Sequence, residues 1–327
     1  MISAGFLSDS AWLRPQLDFL LYLQQIRTEH FEFLDKFFLS VTIFGELWLP
    51  ILLCAVVYWS VNTKSGMYLF SLFGMQLLVC QLFKLIACIY RPWILDDKIH
   101  PVKEAIAAAK SYSFPSGHSS TAASVLGGAA VLCRKNNKIF LFLLLLIFTV
   151  GFSRLWLGVH TPQDVIIGLL IGFVLAAAMK PVIDKADDEK NGYLYLMAAV
   201  NVFAAAALVF ICCFNQYPHD YFGGNLLVNP QNAVYNTVNC YGTALGLING
   251  ACLCRHFNIF DAAKDTVNKR VLRGIIGTFS TFILLKLVLG YVYGNVLDYK
   301  YAFLLTFVSG LYVTLIFPMI FEFKAAK

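Results

Sequence analysis

The chain has 327 residues, of which 59% are hydrophobic and 13% charged. An ordinary soluble domain carries about 25% charged residues, so that class is excluded. The net charge of +6 says little in itself, and no nucleic-acid partner is expected; the placement of the cations along the chain is more informative.

The first residues, MISAGFLSDSAWLRPQ, lack the basic start and apolar core of a cleavable leader, and none is expected. Residues 11–34 mix Leu and Phe with Arg, Asp, Glu and Gln. That pattern predicts an amphipathic helix lying at a membrane interface, so residues 1–36 are read as an interfacial element. Apolar runs follow at 37–60, 66–90, 117–133, 138–156, 162–182, 193–213, 236–254, 271–295 and 301–322. A bilayer core of about 30 Å needs some 20 such residues per helix. The expected fold class is therefore all-α: a polytopic transmembrane bundle of about nine spans. The charged run KADDEKNG, 185–192, predicts a boundary between a core of five spans, 37–184, and an extension of about four, 193–327. Small residues four apart, Gly168/Gly172 and Gly242/Gly246/Gly250, predict close helix packing. The nine cysteines fall almost entirely in apolar runs and read as small buried hydrophobes.

Orientation follows from the loop cations. One set of loops holds fourteen Lys and Arg, among them Lys64, Arg134, Lys135, Lys180, Arg255, Arg270 and Lys327; the opposite set holds ten, from Arg14 to Lys300 and including Lys110. The first side is expected to be cytoplasmic, with the amino terminus outside, the carboxyl terminus inside, and the plasma (inner) membrane as location. Loop 214–235, on the outer side, lacks Lys and Arg and reads as a lid or part of a headgroup pocket; His219 and Asp220 in it read as solvated. Asp96, Asp97 and Glu104 read as solvated charges as well.

Three polar islands interrupt the first five spans, all on the outer side. They are KLIACIYRP, carrying Lys84 and Arg91; YSFPSGHSST, 112–121; and SRLWLGVHTPQD, from Ser153 to Asp164. Ionisable groups at membrane depth are costly and tend to be functional. Lys84, Arg91 and Arg154 suit an anion, Arg by its rigid fork and Lys as a point charge. PSGHSS reads as a helix start with Ser116 as cap, whose backbone N–H groups favour an anion, and Gly117 leaves room for close backbone approach. Thr161, Pro162 and Asp164 form a capping-box-like turn that can hold Asp164 near the imidazole of His160. With His118 this is the inventory of a phosphoryl-transfer site. The cations would take the part that magnesium plays elsewhere. No metal site and no cofactor are expected.

These islands match K-x6-R-P, PSGH and S-R-x5-H-x3-D, and over residues 36–182 the chain resembles the type 2 phosphatidic acid phosphatase superfamily. The resemblance implies that His160 is the nucleophile and forms a phosphohistidine, that Asp164 orients it, and that His118 protonates the leaving group and then activates water. It implies that Lys84, Arg91 and Arg154 hold the phosphate, helped by Ser116 and Gly117 and supported by Ser153. The expected function is metal-independent hydrolysis of the terminal phosphate of a lipid phosphate by an integral-membrane enzyme. Phosphoryl or phospho-alcohol transfer to a hydroxyl acceptor, polyprenyl-pyrophosphate hydrolysis, and a transporter with a phosphate site stay open. The expected partners are the lipid substrate and membrane lipids. The last four spans could shape substrate access, self-associate into a homo-oligomer, or stabilise the core; the residues do not choose.

Overall fold

The computed structural model of the protein describes residues 11–107, 109, 111–222, 225–294 and 298–325. Residues 1–10 of the expected interfacial element, and the cations Lys110 and Lys327, lie outside them. The described chain is helical apart from an antiparallel pairing of Tyr221–Phe222 with Asn225–Leu226. The principal helices are α1 (Arg14–Ile26), α2 (Leu34–Val41), α3 (Trp48–Val56), α4 (Thr63–Ala87), α5 (Gly117–Leu132), α6 (Asn137–Trp156), α7 (Pro162–Asp188), α8 (Gly192–Val209), α9 (Pro230–His256), α10 (Val267–Gly294), α11 (Tyr299–Leu311) and α12 (Phe317–Ala325).

Among the described residues six helices are long and apolar enough to cross a membrane, or seven if the interrupted pair 34–45 and 48–61 is one span. That is fewer than nine. The two remaining runs, 117–133 and 236–254, do form helices, α5 and α9. But α5 has 16 residues, about 24 Å at 1.5 Å per residue, which is short of a bilayer core. Its surface is small and polar rather than greasy, with Ser119, Ser120, Thr121 and Ser124 buried. Likewise α9 is long but carries Asn239, Thr243 and Asn249 as buried polar residues. By contrast α6 leaves Leu141, Phe142, Leu145 and Phe148 exposed, as a helix facing lipid does.

The chain forms two compact units. The first holds the described residues of 11–46, 79–173 and 210–236. In it α5 packs along α6 around Ala122, Ala123, Leu126, Ile147 and Val150, with Val41, Phe44 and Leu169 closing the cluster. A Cβ on Gly168 would lie 2.6 Å from the Ser116 carbonyl oxygen, so only glycine lets α7 approach the start of α5 this closely. A second cluster joins Phe38, Trp156, Leu157 and Val159. Here α1 buries Leu17, Leu20 and Leu23. Arg27, just after α1, donates to the Trp156 and His100 carbonyls at 3.2 and 2.8 Å. So α1 is amphipathic and turns its apolar side to protein. Asp96 is likewise engaged rather than solvated, accepting from Arg14 Nη1 at 3.1 Å.

The second unit holds residues 47–78, 174–209 and 237–327. Its closest packing runs along Gly242, Gly246 and Gly250; a Cβ on Gly246 would lie 2.1 Å from the Phe307 carbonyl oxygen. Asn201 and Asn249 exchange two amide hydrogen bonds of 3.0 Å between α8 and α9. The charged run 185–192 is fastened by ion pairs. Its Asp187 is bound by Lys64 at 3.0 Å, Arg255 at 2.8 Å and the Tyr193 hydroxyl at 2.7 Å, and both flanking helices lie in this unit there. Arg273 is fully buried, donating to Asp265 and Glu322 at 2.7 Å each and twice to the Trp59 carbonyl, with Phe260 against its guanidinium at 4.5 Å. The nine cysteines are all free, five of them buried.

Candidate active site

Four helix ends in the first unit deliver the site: the close of α4, the start of α5, the close of α6 and the start of α7. The α6–α7 connection is tight because Gly158 adopts φ +72, a left-handed conformation that suits glycine. It returns the chain so that the Val159 amide donates to the Arg154 carbonyl at 3.1 Å. His160 therefore follows Arg154 at close quarters, and Thr161 opens α7. The Thr161 amide donates to Asp164 Oδ2 at 2.9 Å and the Asp164 amide to Thr161 Oγ1 at 3.4 Å, a reciprocal cap.

That cap fixes the Asp164 carboxylate under the His160 ring. Asp164 Oδ2 lies 3.3 Å from His160 Nδ1, and the Ser113 hydroxyl donates to the same oxygen at 2.5 Å while standing 3.3 Å from Nδ1. Arg91 Nη1 is 2.8 Å from Nε2 and 3.4 Å from Nδ1, so its nearer ring nitrogen is Nε2. A guanidinium only donates, so Nε2 is the acceptor and Nδ1 carries the proton toward Asp164, an assignment made from these partners. Burial foremost, and then the charges of Arg91, Lys84 and Arg154, hold this imidazole well below its ordinary range. It is thus neutral with a lone pair on Nε2, the form a nucleophile needs.

The cations differ in how they are engaged. Arg91 also donates to the Ser111 and Val159 carbonyls at 2.9 Å each. Lys84 gives its three protons to the carbonyls of Tyr112, Ser113 and Pro115 at 3.0, 3.2 and 2.8 Å. It organises the turn before α5 and adds its charge from behind. Arg154 is 1% exposed, yet only its Nη1 has a partner, the Thr42 hydroxyl at 2.6 Å. Its Nε and Nη2 have none among the described residues, and neither does His118 Nε2. Each such buried group is unfavourable by about 1–3 kcal/mol unless a ligand atom meets it.

The structure thus joins His160, Asp164 and Arg91 by direct contact. It ties Lys84 to the turn that leads into Ser116, Gly117 and His118. Ser116 caps α5, accepting from the Ser119 amide and hydroxyl. At Gly117 a Cβ would meet nothing within 4 Å, so the helix start opens onto free space. Ser153 is turned away, its hydroxyl donating to the Val150 carbonyl at 2.7 Å. Three residues escape the sequence reading: Ser113, which donates to Asp164, Thr42, which accepts from Arg154, and Gly45, where a Cβ would lie 2.7 Å from His118 Cβ. Ser113 lies within the second island, where its serine-rich context was the one available signal; the other two stand alone in an apolar run. In loop 214–235 the Tyr90 hydroxyl donates to Asp220 at 2.8 Å and Asn215 Nδ2 to the Leu85 carbonyl at 2.5 Å. Asp220, half-buried, is therefore fastened to Tyr90, the residue before Arg91.

Removing the Ser113 hydroxyl tests its part in this network. Ser113→Ala takes one donor from a charged carboxylate, worth about 1.5–3 kcal/mol. It is expected to lower kcat roughly 10- to 100-fold with little change in KM, read from steady-state kinetics.

The apolar helices and this buried, cation-rich site define an integral-membrane protein with a cationic pocket among its helix ends. Residues 65–188 match the PAP2 superfamily, and residues 238–327 match the transmembrane extension of PAP2 superfamily phosphatases. The chain belongs to the PAP2 superfamily, as a PAP2 domain with that extension. It is 27% identical over 140 residues to phosphatidylglycerophosphatase B of Bacillus subtilis, covering 40% of this chain and 64% of that protein. The chain therefore spans a little under two thirds of that relative. It is 29% identical over 169 residues to the undecaprenyl-diphosphatase BcrC of the same organism, covering 48% of this chain and 82% of that protein. Among solved structures it is similar to the PAP2 type phosphatidylglycerolphosphate phosphatase of Bacillus subtilis, with 23% identity and a TM-score of 0.44 over 56% of this chain and 91% of that one.

Proposed function

We propose that the protein hydrolyses the terminal phosphate of a membrane lipid through a phosphohistidine on His160, without a metal. The observation that carries this reading is the polarised His160 ring, with Nδ1 held by Asp164 and Ser113 and Nε2 presented beside Arg91. A phosphate arriving there meets Arg91 and the unpartnered Nε and Nη2 of Arg154. Nε2 attacks phosphorus, a P–N bond forms and the ester P–O bond breaks. His118 gives a proton to the departing oxygen. Asp164 stabilises the resulting Nδ1–H imidazolium. Water then attacks phosphorus, His118 takes its proton, and the P–N bond breaks to release inorganic phosphate and neutral His160. Stabilisation of the equatorial oxygens falls to the fixed cations.

The position of the site at helix ends suits a headgroup at the membrane surface with its tails in lipid. We place that surface outside the cytoplasm on the distribution of Lys and Arg. The two curated relatives bear names for a phosphomonoester lipid and a polyprenyl diphosphate, so both headgroups belong in one test. Phosphate release is measured in detergent from phosphatidylglycerophosphate, phosphatidate, lysophosphatidate, a phosphorylated sphingoid base and undecaprenyl diphosphate. Each is run with and without EDTA and with added alcohols. Release that is unchanged by EDTA is expected; a requirement for Mg²⁺ would refute the metal-free step. Appearance of phosphorylated alcohol at the expense of free phosphate would make the enzyme a transferase.

A further inference from the structure

We propose that the short turn Thr42–Gly45 is a positioning element for both the phosphate-binding and the proton-transfer sides of the site: Thr42 aims Arg154, and Gly45 seats His118. The inference rests on the reading of the site given above. The turn follows α2 as a single 3-10 turn, and it lies outside both regions matched to the PAP2 superfamily.

Two independent contacts carry the proposal. Thr42 is buried and accepts from Arg154 Nη1 at 2.6 Å across 112 residues of sequence. A guanidinium is a rigid plane with donors on fixed edges, so binding one nitrogen orients the others. With Nη1 held, Nε and Nη2 remain as the buried donors without a partner among the described residues. Thr42 thus uses the one nitrogen that substrate does not need and leaves the other two for phosphate oxygens. At the other end of the turn, a Cβ on Gly45 would lie 2.7 Å from His118 Cβ, 2.7 Å from its carbonyl oxygen and 2.8 Å from its Cα. Two of those atoms are backbone and cannot swing aside. The absent side chain at Gly45 therefore sets how deep the first turn of α5 sits, and with it His118, whose Nε2 is also buried without a partner among the described residues. One four-residue turn touches both groups that the reaction requires to be fixed, and neither contact involves the three sequence islands alone.

The test compares Thr42→Val, which is isosteric but cannot hydrogen-bond, with Thr42→Ser, which keeps the hydroxyl. Hydrolysis and competitive inhibition by inorganic phosphate are measured for each. Thr42→Val is expected to weaken phosphate inhibition and lower kcat/KM by roughly 10- to 100-fold, the effect of one hydrogen bond to a charged group. Thr42→Ser is expected to stay within about threefold of the parent. In a double-mutant cycle, Thr42→Val added to Arg154→Lys should have almost no further effect, because the oriented fork is already gone. Gly45→Ala is expected to lower kcat more than it raises KM, since it displaces the proton donor. Thr42→Val with parental phosphate inhibition and kcat/KM, or Thr42→Ser as impaired as Thr42→Val, would overturn the proposal. If Thr42→Val does not fold, Thr42→Ala read against Thr42→Ser decides in the same way. A parent protein that neither binds inorganic phosphate nor releases it from any substrate would instead overturn the functional reading itself.

Discussion

Alanine at position 160 is expected to lower phosphate release by about 10⁴-fold or more while leaving the protein folded. The loss is large because the other groups depend on it. Arg91, Asp164 and Ser113 all address the His160 ring, and in the proposed mechanism its Nε2 is the atom that attacks phosphorus. Asp164→Asn should fall nearly as far, since an amide in place of the carboxylate neither stabilises the imidazolium nor fixes the same tautomer. The two variants separate in a trapping experiment. Rapid quench with a labelled substrate should show acid-labile label on the parent, a trace on Asp164→Asn and none on His160→Ala. Label of parental amount on His160→Ala would place the nucleophile elsewhere. The pH profile provides a further check. In the proposed mechanism His160 attacks as the neutral imidazole, and burial with the surrounding cations holds its protonation well below the ordinary imidazole range. The acid limb of kcat/KM is thus expected below that range, because the neutral form persists as pH falls. A limb at an unshifted imidazole value that disappears in no other variant would contradict this assignment.

The second large effect concerns the other unit. Arg273 is 0% exposed and holds two carboxylates, Asp265 and Glu322, with Lys269 Nζ also bound to both. Arg273→Met keeps the bulk but leaves both acids short of a partner, and the Trp59 carbonyl loses two donors. Breaking a buried ion pair from one side is unfavourable by about 3–5 kcal/mol. A clear drop in the thermal midpoint in detergent is expected, with the loss of monodisperse material on size exclusion. Glu322→Gln in the Arg273→Met background should recover part of it, because one uncompensated charge is then gone. A midpoint unchanged by Arg273→Met would show that the cluster contributes nothing net.

Much of the site could be read from the sequence because its parts obey local rules. The Thr161–Asp164 cap and the Ser116 helix start act within three residues, and Lys84 and Arg91 are seven apart. The roles of the donors could not be read in this way. Lys84 looks like a phosphate ligand by residue type, yet its three protons go to carbonyls 28, 29 and 31 residues away. Ser153 sits beside Arg154 in the chain, but helical geometry turns its hydroxyl back onto Val150. Asp220 read as solvated because its partner, Tyr90, is 130 residues distant.

The sequence by itself determined the class of molecule and the chemistry available to it. Span length is a count of apolar residues against a fixed bilayer thickness, and a cation or histidine placed at the end of such a run is legible without coordinates. Only the tertiary structure decided which apolar runs face lipid and which, like α5 and α9, are enclosed by protein, since burial depends on neighbours contributed from elsewhere in the chain. It alone brings Thr42 against Arg154, Gly45 against His118 and Ser113 against Asp164. A hydrogen bond acts over about 3 Å in space, and no sequence period records a partner that folding brings to that distance.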